Sequence, residues 1–167
     1  GETGAAMRYL SQRYGMPSDK VKGLLTDIGT EELAQMEIIS AIIFQLTRNL
    51  NVDDLRKGGF DAYYIDHTTG IYPVDASGNP FSALTFQSTG DAIADLHEDL
   101  AAEQKARLTY DNILRIADDP DVRDPIRFLR ARELVHFQRF GEALRITQEG
   151  LDAKNFYAFN PQFDQTN

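Results

Sequence analysis

Apolar side chains recur along this chain at alternating steps of three and four residues, the spacing that places side chains on one face of an α-helix. Turn residues interrupt this periodicity at three places. The pattern therefore predicts four helices, at approximately residues 1–15, 19–49, 91–117 and 122–150.

Short polar turns join the helices in two pairs. Ser18 or Asp19 is placed to cap the second helix, and the polar segment 118–121 separates the third helix from the fourth. A Gly- and Pro-rich stretch, predicted to be irregular, separates the second helix from the third. Two short connections and one long one are typical of an all-α, ferritin-like four-helix bundle with a single long crossover connection.

This topology predicts one bundle domain at residues 1–150 and an extended C-terminal tail at 151–167. The tail contains aromatic residues, which favour docking on a neighbouring surface, and Asn and Gln, which favour disorder, so both alternatives stay open. The sequence begins inside a predicted helix, and we expect an upstream part of that helix to be missing.

Every predicted apolar stripe contains a carboxylate. The stripe of the first helix is Glu2, Ala5, Tyr9 and Gln12, and that of the second is Leu25, Ile28, Glu32, Gln35, Ile39, Ile42 and Leu46. The stripe of the third helix is Leu96, Leu100, Glu103, Arg107, Tyr110 and Leu114, and that of the fourth is Leu129, Glu133, His136, Phe140 and Ala143. Four helices thus direct four glutamates inward.

Inward carboxylates persist in a core only when they are paired, protonated or bound to a metal, because burying an unpaired charge costs several kcal/mol. A single such Glu is readily explained by a helix edge or by pairing with Arg107. Four at matching positions, in the order Glu, Glu-x-x-Gln, Glu and Glu-x-x-His, form a di-metal carboxylate pattern with one substitution. The sequence therefore predicts a two-metal site in the bundle.

Composition limits the chemistry of this site. The chain has no cysteine, so any metal must bind oxygen or imidazole ligands, which suit manganese or iron. The net charge of -9 argues against nucleic-acid binding, and no apolar run approaches the roughly 20 residues that cross a membrane.

Three segments resemble the manganese catalase family, and within it the spore-coat members: residues 24–34, 90–103 and 132–136. The opening segment, with Met7-Arg8-Tyr9-Leu10-Ser11-Gln12-Arg13-Tyr14, fits as well. This resemblance covers approximately residues 1–149. It implies two manganese ions, with iron as a possible substitute, and the disproportionation of hydrogen peroxide.

The resemblance also implies individual roles. Glu2 would bind one metal, Glu32 would bridge both, and Glu103 and His136 would bind the second metal. Glu133 would be the catalytic acid–base group.

Two further residues match family positions. Tyr9 corresponds to a tyrosine that forms a hydrogen bond within the site. Gln35 stands where the family has a histidine ligand of the first metal, and its amide is the weaker donor. We therefore expect lower metal affinity or a shifted redox balance there.

The family likeness further implies a homo-oligomer, specifically a hexamer, located in the spore coat beside other coat proteins after synthesis in the cytoplasm. One alternative is a structural coat protein whose metal site is impaired by Gln35. A third class is ferritin-like iron oxidation or storage, which the spore-coat likeness makes less favoured.

Other polar residues are predicted to have ordinary surface roles. His67 lies in the long connection and His97 falls off the inward stripe of the third helix. The acidic cluster Asp95, Glu98 and Asp99 is predicted to be a solvated helix face.

Overall fold

The computed structural model describes residues 1–61 and 81–153, and it is all-helical over these ranges. The five α-helices of the described residues are α1 (Glu2–Gln12), α2 (Asp19–Thr47), α3 (Val52–Gly58), α4 (Ala92–Ile116) and α5 (Pro120–Asp152). Short 3₁₀ turns occupy Arg13–Gly15 and Ala83–Phe86. The four predicted helices are thus confirmed, with ends that differ from the predicted ones by at most three residues.

Side-chain caps fix where the long helices begin. Ser18, rather than Asp19, caps α2 by accepting a hydrogen bond from the backbone N–H of Val21. Asp91 caps α4 in the same way. Asp119 caps α5, whose first residue is Pro120, a position where the missing N–H of proline costs nothing.

The helices pack as two antiparallel pairs. The helix α1 lies against α2, α4 lies against α5, and the pairs meet where α2 contacts α5 and α1 contacts α4. This is the predicted ferritin-like bundle. The connection between the pairs runs from residue 48 to residue 91, but residues 62–80, including His67, lie outside the described part.

The prediction that the long connection is irregular is wrong for its first part, which forms the short helix α3. Asn51 accepts a hydrogen bond from the backbone N–H of Asp54, whose carboxylate in turn accepts one from the Asn51 N–H. Gly59 ends the helix in the left-handed conformation, with φ of 75°. These local signals make a short helix without contributing a buried residue.

Two apolar clusters fill the bundle. One contains Tyr9, Leu25, Ile28, Leu96 and Phe140, and the other contains Tyr110, Ile126 and Leu129. On α4 and α5 the predicted site residues fall between members of the two clusters. The polar site therefore lies inside the bundle, with apolar packing on both sides.

The predicted stripe of α2 is buried only over its first part. Leu25, Ile28, Glu32 and Gln35 are buried, whereas Ile39 and Ile42 are half-buried and Leu46 is exposed. The reason is that α1 spans 11 residues while α2 spans 29, so α1 can cover only part of its partner.

Candidate metal centre

Four buried side chains from three helices converge between the two apolar clusters. Glu32 from α2, Glu103 from α4, and Glu133 with His136 from α5 each place one ligand atom within 4.8 Å of the others. All four are at most 2% exposed. Glu133 and His136 reach the same point because residues three apart share one face of a helix.

The donor atoms of this cluster fit a metal site. Buried polar atoms normally have hydrogen-bond partners, and exceptions need an explanation. Several atoms at the centre of the site have none within residues 1–61 and 81–153: Glu32 Oε1, Gln35 Oε1 and Nε2, Glu103 Oε2, Glu133 Oε1 and His136 Nδ1. Carboxylate oxygens and an imidazole nitrogen form a set of ligands that suits manganese or iron.

The two ring nitrogens of His136 face different groups. Nδ1 lies 2.8 Å from Glu32 Oε1 and 3.5 Å from Glu103 Oε2, and it makes no hydrogen bond among the described residues. Nε2 lies 2.6 Å from Glu31 Oε2, within hydrogen-bond distance. The inner nitrogen is thus the one that points to the cluster.

Burial and mutual repulsion change the proton affinity of the carboxylates. Burial, with repulsion from Glu103 and Glu32, raises the pKa of Glu133 to about 10. Burial also raises the pKa of Glu32 to about 7, although contact with His136 opposes the change. Burial lowers the pKa of His136, but its contacts with Glu103 and Glu32 outweigh this effect and raise it to about 10. Without a metal, the site therefore retains protons.

Three more predicted residues surround this cluster. Glu2 is largely buried, and this burial raises its pKa, with repulsion from Glu103 adding to the effect. It is not among the four residues whose ligand atoms lie within 4.8 Å of one another. Gln35 is 3% exposed. The Tyr9 hydroxyl donates a hydrogen bond to Glu103 Oε1, and its ring packs at a tilt of 55° against that of Phe140, with the ring centres 4.7 Å apart.

Glu31 is a residue of the site region that sequence reasoning missed. It contacts His136 from the outer side and forms ion pairs with Arg132 and Arg139. Its pKa is lowered because hydrogen bonds from His136 and Arg132 outweigh its partial burial. The available signal was its adjacency to Glu32, but a half-exposed Glu beside an inward one is ordinary in sequence.

The predicted solvated face on α4 is wrong for two of its three acids. Asp95 is 1% and Asp99 is 0% exposed, whereas Glu98 is half-buried. Asp99 is buried close to Gln12 of α1, and both of its oxygens lack a hydrogen-bond partner among the described residues. Asp95 accepts hydrogen bonds from the backbone N–H and hydroxyl of Thr89. His97 is exposed, as predicted.

These features define the class to which the molecule belongs. The sequence model of the manganese containing catalase family matches residues 1–162. The chain belongs to this family, and it has the family's ferritin-like helical bundle.

Particular relatives make the placement more specific. Over 157 residues, covering 94% of this chain and 82% of the relative, it is 50% identical to Protein CotJC of Bacillus subtilis. It is 38% identical to a probable manganese catalase of Clostridium acetobutylicum over 90% of this chain and 67% of that protein.

A solved structure agrees with these sequence matches. The manganese catalase KatB from Anabaena superposes with a TM-score of 0.77 at 28% identity, covering 87% of this chain. The chain spans 65% of the length of KatB, a little under two thirds.

Proposed function

We propose that this protein binds two manganese ions and disproportionates hydrogen peroxide to water and dioxygen. The carrying observation is the compact, buried group of Glu32, Glu103, Glu133 and His136, whose inner atoms make no hydrogen bond to the residues that the structure describes. Family membership supports manganese in particular. Iron is the alternative metal, because the same ligands accept it.

The proposed ligands are Glu2, Glu32, Gln35, Glu103 and His136. These residues would hold a redox-active metal pair, which would accept the two electrons lost by the peroxide that is oxidised and return them to the peroxide that is reduced. The Tyr9 hydroxyl holds Glu103 by its hydrogen bond to Oε1, which leaves Oε2 directed to the centre. The surrounding apolar clusters exclude bulk water from this position.

Glu133 is the proposed proton carrier. The overall reaction converts two H₂O₂ into two H₂O and O₂, so protons released by the peroxide that is oxidised must reach the one that is reduced. Glu133 lies within this buried cluster, and its Oε1 makes no hydrogen bond to the residues that the structure describes, so it is available to take up and release a proton. In the absence of a metal, burial and repulsion raise its pKa to about 10, so the carboxyl group then holds a proton.

A second function is favoured by one observation, the glutamine at position 35. An amide oxygen is a weaker donor than imidazole, so the site there is expected to hold its metal less firmly. The alternative is a structural spore-coat or shell protein with an impaired or inactive metal site.

Assembly and location are also proposals. Likeness to CotJC and to manganese catalases supports a homo-oligomer, with a hexamer as the specific expectation, in a spore coat alongside other coat proteins. Residues 1–150 are proposed as the bundle domain and 151–167 as its tail. Among the described residues, no helix has the length and apolar character needed to cross a membrane.

The experiment combines elemental analysis with oxygen evolution. Protein purified from manganese-supplemented cells should contain close to two equivalents of manganese and release dioxygen from peroxide. Glu133→Gln should retain the metal and lose most of the activity. Metal-loaded wild-type protein that evolves no dioxygen would favour the structural alternative, and protein that binds no metal would refute the di-metal proposal.

A further inference from the structure

We propose that Glu31 is a positioning residue that holds the His136 ring with Nδ1 facing the metal centre. This inference rests on the proposed metal site, but Glu31 and the two arginines that contact it lie outside the predicted ligand set. His136 is fully buried, and its ring lies between two consecutive glutamates of α2.

The positions of these glutamates explain the arrangement. Successive residues of an α-helix point about 100° apart, so Glu31 and Glu32 leave the helix in different directions. Glu32 Oε1 lies 2.8 Å from Nδ1 and Glu31 Oε2 lies 2.6 Å from Nε2. One pair of neighbouring residues therefore faces both nitrogens of the same ring.

Two arginines of α5 hold Glu31 in place. Arg132 Nη2 lies 2.6 Å from Glu31 Oε2, the same oxygen that faces His136. Arg139 Nη1 lies 3.9 Å from Glu31 Oε1, and its other terminal nitrogen lies 2.5 Å from Asp27 Oδ2. A carboxylate fixed between two cations is an acceptor, so Nε2 carries the hydrogen and donates it.

The chemical consequence concerns the inner nitrogen. When Nε2 carries the ring hydrogen of a neutral imidazole, Nδ1 has the free lone pair that a metal requires. The hydrogen bond also restrains rotation of the ring about the Cβ–Cγ bond. Glu31 thus determines which nitrogen of His136 is available to bind the metal and in which direction that nitrogen points.

The chain offers a matched control for testing this role. Asp27 belongs to the same ion network, through Arg139, but it does not contact His136. Asp27→Asn therefore removes one carboxylate charge from the network and leaves the hydrogen bond to Nε2 intact. Glu31→Gln and Glu31→Ala remove the charged acceptor itself.

Manganese affinity is the first readout, measured by titration calorimetry on protein freed of metal by chelation and shown to be folded by circular dichroism. Loss of such an outer partner typically weakens metal binding about 10- to 100-fold, and we expect this for both Glu31 variants. Asp27→Asn should bind within about threefold of the wild type. Equal affinities for Glu31→Gln, Glu31→Ala and wild type would overturn the proposal.

The second readout is independent of manganese. The chain has three histidines, so the ring N–H protons are few and can be assigned by NMR with ¹⁵N-histidine labelling. The Nε2–H proton of His136 should resonate far downfield in the wild type and in Asp27→Asn, and move upfield or vanish in Glu31→Ala. An unchanged Nε2–H signal in Glu31→Ala would overturn the proposed role of Glu31, even in a protein that binds no manganese. A lack of catalase activity in the wild type would contradict the proposed function but would not contradict this role.

Discussion

At the scale of single residues, Gln35 decides how closely this site matches its family. It is buried on the inward face of α2, and neither its Oε1 nor its Nε2 has a partner within the described residues. An amide that bonds to no protein group is free to present its oxygen to a metal. That oxygen is nevertheless a weaker donor than the imidazole that the resemblance leads us to expect there.

Replacing Gln35 by histidine should therefore strengthen the site. We expect Gln35→His to raise manganese affinity by about tenfold or more and to increase the rate of oxygen evolution. Calorimetry and an oxygen electrode measure these two quantities. The control is Gln138→His, which adds a histidine at an exposed position of α5. Equal gains in both variants, or none in Gln35→His, would contradict the prediction.

Asp99 gives a pH-dependent prediction. Its burial, with repulsion from Asp95 and Glu103, raises its pKa well above 3.8, although Arg8 and Gln12 oppose the change. The folded protein therefore retains a proton that the unfolded chain releases above about pH 4. The stability of the fold falls as pH rises from about 4 towards the raised pKa of Asp99 in the folded state.

The Asn side chain does not ionise, so the stability of Asp99→Asn does not fall with pH in this way. Relative to the metal-free wild type, the variant should become progressively more stable as pH rises. The gap should widen by up to about 1.4 kcal/mol per pH unit above pH 4. Urea unfolding between pH 4 and pH 7 measures it. Glu98→Gln, a change at the half-buried neighbour, should run parallel to the wild type. A gap that is constant with pH would show that Asp99 is ionised in the fold.

At the scale of helices, the close approach of α1 and α2 positions Tyr9. A Cβ at Gly29 would lie 2.8 Å from Leu10 Cγ and 3.4 Å from Tyr9 Cβ, so only glycine permits this spacing. Gly29→Ala should push α1 away and destabilise the protein by about 1–3 kcal/mol.

Gly23, on the same helix, supplies the comparison. A Cβ there would meet nothing within 4 Å, and alanine should stabilise the helix by about 1 kcal/mol. Thermal unfolding of both variants therefore gives shifts of opposite sign. A stabilising Gly29→Ala would mean that the two helices are not held at this distance.

The helices show how far the sequence could predict the structure. Helical periodicity and caps such as Ser18 and Asp119 are local signals, so the four long helices and their order were predictable. The inward glutamates were predictable because they interrupt apolar stripes. Asp99 was not, because a carboxylate in an acidic cluster off the apolar stripe is usually solvated, and only its proximity to α1 reveals its burial. Glu31 depends in the same way on the fold, since its partner His136 is 105 residues away.

At the scale of the whole molecule, the candidate site joins the two halves of the bundle. Glu32 comes from the first helix pair, and Glu103, Glu133 and His136 come from the second. Three carboxylates brought this close repel one another, and this repulsion adds to the burial that raises the pKa values of Glu32 and Glu133. A divalent cation would replace the repulsion by attraction across the interface between the pairs.

Metal binding should therefore stabilise the fold, and do so more strongly at higher pH. Manganese at 100 times its dissociation constant adds about 2.7 kcal/mol, or about 5–11 °C in Tm for a chain of this size. Because the pKa of His136 is raised to about 10 and that of Glu32 to about 7, a metal that binds these ligands must displace protons, and displacement is easier at pH 8 than at pH 6. At a fixed manganese concentration, the shift in Tm between chelated and loaded protein should be larger at pH 8.

His136→Gln removes a ligand from the second helix pair, so its shift should be small at both pH values. A shift as large in His136→Gln as in the wild type would place the metal elsewhere, and a larger shift at pH 6 would show that protons do not compete for these ligands.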